Sequence, residues 1–136
     1  MTPALGEKIK AANAALLTEG RPDAVADFFA ADYTVHLTDG ALSGGHEAVR
    51  GAVAQLRRAF PSLRVEVEIL VEHGDRVAWQ RTLSGVQQGA FQGFPATARP
   101  VRWREQVTSR FHDGLIAEEW LVSDLAERLL RARKKT

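Results

Sequence analysis

Apolar positions along the chain follow two different periods, and the change between them falls just after Pro61. Thr2-Pro3 suits an N-cap and a first helical residue, and Leu5, Ile9, Ala12 and Leu16 then recur at helical spacing until Gly20. After Arg21-Pro22-Asp23, the segment Ala24 to Phe29 reads as a short second helix and Tyr33 to Thr38 as a strand, with breaks at Gly40 and Gly44-Gly45. From Glu47 onward Val49, Ala52, Val53, Leu56 and Phe60 share one helical face, and Pro61 ends this third helix.

From Leu63 the period becomes two. Leu63, Val65, Val67, Ile69 and Val71 alternate with Arg64, Glu66, Glu68 and Glu72, as in a strand with one buried face. His73-Gly74-Asp75 reads as a hairpin turn, Arg76 to Gly85 as the next strand, and the Gly/Gln/Pro-rich stretch 85–98 as a connection to a strand at about 99–111. A turn at His112-Asp113-Gly114, a last strand from Leu115 to Ser123 and a short basic helix from Leu125 to about Arg133 complete the chain. Helices first and an antiparallel meander afterwards give a single α+β domain over residues 1–136, with the helices packed in a curved sheet that closes a cone-like pocket.

Composition adds modest constraints. With 136 residues and 45% hydrophobic content the chain can bury a core without covalent staples. Having no cysteine, it has neither disulfides nor thiolate metal sites, which fits a cytoplasmic location. No signal-peptide stretch or membrane-length apolar run is present, so membrane association is not expected. Net charge is +1, but Arg128, Arg131, Arg133, Lys134 and Lys135 gather at the C-terminal end. Such a tail complements the helix dipole; without a basic face interleaved with aromatics, no nucleic-acid partner is expected.

The segment Gly89-Ala90-Phe91-Gln92-Gly93-Phe94-Pro95-Ala96-Thr97-Ala98-Arg99-Pro100-Val101 resembles a hairpin pattern of the SnoaL-like polyketide cyclase family, within the nuclear transport factor 2-like superfamily. Gly45-His46-Glu47-Ala48-Val49 resembles that family's start of the third helix. His112-Asp113-Gly114-Leu115-Ile116, with Glu119-Trp120 and Asp124, resembles its final hairpin. Two departures stand out: Ala98 replaces the usual glycine, and Gln87 stands where many members have histidine. The resemblance implies an enzyme without metal or organic cofactor that closes a polyketide ring by intramolecular aldol chemistry, with an aspartate as general base. It also implies a homodimer formed through the sheet face opposite the pocket. The superfamily contains epoxide hydrolases and binding modules too, so an epoxide or ester hydrolase and a non-catalytic small-molecule binding protein remain alternatives.

Asp124 matches the cyclases' catalytic aspartate and shares strand parity with Trp120, where poor solvation would make it a stronger base. The competing reading is a cap for the helix that begins at Leu125, since Asp124-Leu125-Ala126-Glu127 has capping-box spacing. Glu105 interrupts the apolar alternation of Val101, Trp103, Val107 and Phe111, so it needs a partner, a proton or a function, unless a bulge turns it outward. Arg81 shares parity with Val77, Trp79 and Leu83 and is a candidate partner for Glu105 or Asp124, or for a substrate oxygen. In the superfamily's epoxide hydrolases the arginine lies two residues before a strand carboxylate; here that place is Trp103. His36 is a third catalytic candidate, as a proton relay, against the plainer reading of a polar strand residue. Trp79, Trp103, Trp120, Phe91, Phe94 and Tyr33 are candidates to line a pocket for a flat polycyclic or otherwise apolar ligand, with core packing as the alternative for each aromatic. No pair of histidines has metal-ligand spacing, so no metal is expected.

Overall fold

A computed structural model describes residues 4–134. The Thr2-Pro3 cap and Lys135 therefore lie outside the described residues. Helix α1 (Leu5–Asn13) runs on into a widened π-helical turn, Ala14–Thr18, and ends at Gly20, whose φ is +67°. The guanidinium of Arg57 closes this end by donating to the carbonyls of Leu17 and Thr18. A 3-10 turn (Pro22–Ala24) leads into α2 (Val25–Phe28), shorter than the pattern suggested because β1 (Phe29–Leu37) already begins at Phe29.

The short strand β2 (Gly40–Ser43) was not expected. Its four residues are all exposed, so no alternation marks it. Helix α3 (Gly45–Ala59) starts two residues earlier than expected, because Gly45 sits against β1 with φ +56°, where a Cβ would lie 2.2 Å from the Ala31 carbonyl oxygen. Strands β3 (Arg64–His73), β4 (Arg76–Val86), β5 (Pro100–His112) and β6 (Leu115–Ser123) follow, and α4 (Leu125–Lys134) closes the fold.

The six strands form one sheet in the order β2-β1-β6-β5-β4-β3. Most neighbours are antiparallel, but β1 runs parallel to β6, so the sheet is mixed where a purely antiparallel one was expected. The β4–β5 ladder is unbroken from Arg76↔Arg110 to Val86↔Pro100. That register keeps Val101, Trp103, Glu105, Val107, Ser109 and Phe111 on one buried face.

Register shifts interrupt three of the other ladders, one of them β1–β6 between Phe29 and Thr34. In β3 the shift between Ile69 and Val71 turns Val71 out to 60% exposure, against the simple alternation. In β6, Arg110 faces Glu118 while Phe111 faces Ile116, so Ala117 is the extra residue. Ile116 and Ala117 are consequently both buried, and beyond them Glu119 and Leu121 point inward.

Two apolar clusters fill the concave side. One gathers Ile9, Leu16, Val25, Phe29, Tyr33, Val49, Trp79, Val107 and Ile116; the other packs Phe60, Leu63, Leu83, Trp103, Leu125 and Leu129 under the ends of α3 and α4. Among the described residues no helix is long and apolar enough to cross a membrane.

The connection 87–99 is pinned by Gln87, fully buried, whose amide nitrogen donates to the Gly89 and Phe94 carbonyls while its amide oxygen accepts from Thr97. Within it Ala98 holds φ +57°, a left-handed conformation that costs an L-residue roughly 1–2 kcal/mol, partly offset in glycine by chain entropy. Ala98→Gly should therefore stabilise the fold by about 0.5–1 kcal/mol, read as a higher urea midpoint at unchanged slope. A lower midpoint would mean that the strain is not borne at this residue.

Candidate functional site

A cavity of about 750 Å³ opens between α1, α3 and the concave face of the sheet, its wall completed by the start of α4 and the Phe91-Gln92 turn. Most of its lining is apolar, including Ile9, Leu16, Phe29, Val35, Val53, Ile116 and Leu121. Into this wall β4, β5 and β6 each place one charged residue type, Arg81, Glu105 and Glu119.

Arg81 and Glu105 are direct cross-strand partners. The Arg81 Nε and Nη2 donate to Glu105 Oε1 at 2.8 and 2.6 Å, and the Trp103 indole N–H donates to Oε2 at 3.3 Å. Arg81 Nη1 reaches across to α1 and donates to Asn13 Oδ1 at 2.8 Å, while Asn13 Nδ2 donates to the Ile9 carbonyl one turn earlier. The guanidinium also lies over the Trp79 ring, 5.3 Å from its centroid. Glu105 is thus the inward carboxylate that the alternation implied, and Arg81 is its partner.

Glu119 was not singled out by sequence. It accepts from the Tyr33 hydroxyl at 2.6 Å and from the Ser109 hydroxyl, which in turn accepts from the Trp79 indole N–H at 2.9 Å. Burial pushes the Glu119 carboxyl above the usual carboxylate range; the bonds from Ser109 and Tyr33 and the charge of Arg81 pull it back only in part, and Glu105 adds to the rise. Burial and the neighbouring Glu119 likewise hold the Tyr33 phenol above its usual range.

The remaining candidates divide. Trp79, Phe91 and Tyr33 line the cavity together with Arg81 and Glu105. Phe94 and Trp103 pack in the second apolar cluster, where Trp103 meets Phe60 with ring centroids 4.8 Å apart. His36 and Trp120 lie on the convex face, stacked 5.1 Å apart; His36 pairs with Glu118 and Arg76 covers Trp120. The β6 bulge explains this placement, since it turns Glu119 inward and therefore Trp120 outward.

Asp124 keeps the parity of Trp120, but that parity faces away from the cavity, whose lining passes from Ser123 to Leu125. Its carboxylate accepts the Arg104 backbone N–H at 2.8 Å and pairs with Arg128 at 3.0 Å. Partial burial pushes it up, but these bonds outweigh burial and hold it below its ordinary value. His46, expected at the start of α3, bonds the Phe29 carbonyl at 2.7 Å. Among the described residues no three His, Asp or Glu side chains gather as a metal ligand set.

Comparisons with known proteins agree on the fold. The family model described as SnoaL-like polyketide cyclase matches residues 7–131. A polyketide cyclase candidate from Acidithiobacillus ferrooxidans superposes with a TM-score of 0.85 at 19% identity, covering 100% of this chain and 99% of its own; at that identity it speaks for the fold alone. The polyketide cyclase candidate IdmH from Streptomyces antibioticus gives 0.78 at 25% identity, covering 95% of this chain and 97% of its own. The hydroxylase candidate AclR from Streptomyces galilaeus gives 0.77 at 26% identity, covering 98% of this chain and 100% of its own. No curated protein matches the chain in sequence.

The Asp124 geometry has a pH signature. A carboxyl held lower in the folded than in the unfolded chain stabilises the fold above its unfolded value, near 3.8, and loses that contribution as pH falls through the lower folded value. Asparagine keeps an oxygen to accept the Arg104 N–H but not the charge that pairs with Arg128. Asp124→Asn should therefore cost about 0.5 kcal/mol at pH 7, the size of an exposed i,i+4 pair, and nothing well below pH 3.8. Urea midpoints at the two pH values check this; a difference that persists in acid contradicts the ion-pair role.

Proposed function

Because the chain belongs to the SnoaL-like polyketide cyclase family, we propose that it is a cofactor-independent acid/base enzyme acting on an apolar, carbonyl-rich small molecule by cyclase-type chemistry. The observation that carries this reading is the Arg81–Glu105 pair set in the wall of a large apolar cavity. In this reading Glu105, rather than Asp124, takes a proton from the carbon next to a ligand carbonyl. Arg81 balances the charge of Glu105, and Asn13 and Trp103 fix the two side chains. The apolar wall folds the ligand so that its reacting carbons approach one another, which converts a difficult encounter into an internal one. Trp79, Phe91 and Tyr33 supply the aromatic surface for a flat or polycyclic ligand.

The binding-protein alternative also has an observation in its favour. Each carboxylate in the cavity's polar network is fully paired, as suits a cavity that holds a ligand without transforming it. Native mass spectrometry of freshly purified protein identifies what the cavity retains. Incubating that compound, or a panel of poly-β-ketones, in deuterated water then separates the readings. The enzyme reading expects deuterium at the carbon next to a carbonyl, with exchange at least about a hundredfold slower in Glu105→Gln at retained binding. Binding without exchange in the unaltered protein establishes the alternative, and incorporation of labelled oxygen from water points to hydrolysis.

A homodimer through the convex sheet face completes the proposal. Val122, 58% exposed, lies there beside the stacked His36 and Trp120. Light scattering should report twice the chain mass of 14.9 kDa, and Val122→Glu should return the single-chain value. A monomer at micromolar concentration contradicts it.

A further inference from the structure

The hydrogen count around Glu119 determines where a proton on that carboxyl resides. Ser109 is fully buried, and its Oγ has two partners, the Trp79 indole N–H and Glu119 Oε2. An indole N–H only donates, so Ser109 accepts from Trp79 and passes its own hydrogen to Oε2. Turned elsewhere, that hydrogen would be buried without an acceptor. A proton on Glu119 therefore belongs on Oε1, which faces the Tyr33 hydroxyl at 2.6 Å.

The two charge states of Glu119 then give Tyr33 opposite roles. With Glu119 ionised, Tyr33 donates to Oε1 and has no hydrogen to offer. With Glu119 neutral, Oε1–H donates to the Tyr33 oxygen, and the phenol hydrogen is free for the cavity that Tyr33 lines. We propose that Tyr33 donates a hydrogen bond to a carbonyl or enolate oxygen of the bound ligand, and that neutral Glu119 is the positioning residue that releases the hydroxyl hydrogen for it. This rests on the cavity being a site for a carbonyl ligand. The donor would meet negative charge developing on oxygen as the neighbouring carbon loses its proton.

The charged and titratable groups facing Glu119 are Tyr33 from β1, Arg81 from β4 and Glu105 from β5. From α1 the cavity receives the uncharged Asn13; Glu47 of α3 and Asp39 of the β1–β2 turn also line it. Burial favours the neutral acid at Glu119, and the phenol of Tyr33 titrates above its usual range, so the pH response in the working range belongs to Glu119. Ligand affinity should be high while Glu119 is protonated and fall as pH rises through its raised pKa.

The test uses 6-propionyl-2-(dimethylamino)naphthalene, an apolar aryl ketone whose emission moves to the red when its carbonyl accepts a hydrogen bond. Bound to the unaltered full chain, it should show the red-shifted emission, with affinity falling at high pH. Glu119→Gln should keep the red shift and lose the pH dependence, because its amide oxygen must face the Ser109 hydroxyl and its NH₂ the Tyr33 oxygen. Tyr33→Phe should bind about tenfold more weakly, with unshifted emission at every pH. A red shift that survives in Tyr33→Phe, or a Glu119→Gln pH profile like that of the unaltered protein, overturns the proposal. Probe bound without any red shift overturns it too, while leaving the ligand cavity intact. No binding by any variant overturns the carbonyl-ligand reading beneath it.

Discussion

Two buried carboxylates share the strand wall of the cavity with one guanidinium, and this imbalance organises the interior. Glu105 takes the cation directly, since Arg81 stands opposite it in an unbroken ladder. Glu119 has no cation of its own, and an isolated buried charge is far costlier than a protonated acid. Its answer is hydrogen bonding from Tyr33 and Ser109 combined with a pKa displaced upward. Because Ser109 is held by Trp79 and Trp79 lies beneath Arg81, the two carboxylates belong to one network that spans β1, β4, β5 and β6 and reaches α1 at Asn13. Such a network specifies a single packing arrangement, because loss of any member leaves a buried polar group unpaired.

Where strand registers are unbroken, this interior was legible in the sequence. Glu105 and Arg81 each sit among apolar residues of the same parity, so alternation marked both as inward candidates, and the strict β4–β5 pairing selects Glu105 over Asp124 as the partner of Arg81. The same argument excludes His36 from the cavity. Tyr33 and His36 differ in parity, and with Val35 and Leu37 lining the cavity His36 is directed to the convex face, where Glu118 and Trp120 receive it. The β6 bulge carried no such signal. Ile116 and Ala117 are adjacent small and medium apolar residues, and nothing in their identity says that both are buried. A residue slipped at this point exchanges the faces of everything that follows.

The hairpin within the connection 87–99 was legible through the family resemblance but not through its turn residues. Its turn, Gln92-Gly93, has φ of +46° and +84°, the twist of a tight hairpin, and the main-chain bonds between Phe91 and Phe94 are 2.9 and 2.8 Å. Asn or Asp before the glycine announces such a turn; Gln does not. The consequence is that the two phenylalanines diverge, Phe91 to the cavity and Phe94 to the core beside Trp103. Gln87 holds this arrangement from beneath with four hydrogen bonds.

The bulge also sets which face of β6 meets the cavity. Glu118 and Trp120 share one face of the strand, and Glu119, Leu121 and Ser123 share the other, with Asp124 just past its end. Removing the extra residue at Ala117 would exchange these faces and bring Trp120 toward the cavity. It would equally turn Glu119 to solvent, leaving the Ser109 and Tyr33 hydroxyls without their acceptor in an apolar wall and separating Trp120 from His36 and Arg76. The two arrangements exclude each other. In this chain the partners of Glu119 are built into β1 and β5, and Asp124 is occupied by Arg104 and Arg128, so the sequence around β6 is consistent with one face only. The resemblance at Asp124 is a match of residue type, whereas its partners Arg104 and Arg128 are set by this chain's own β5 and α4.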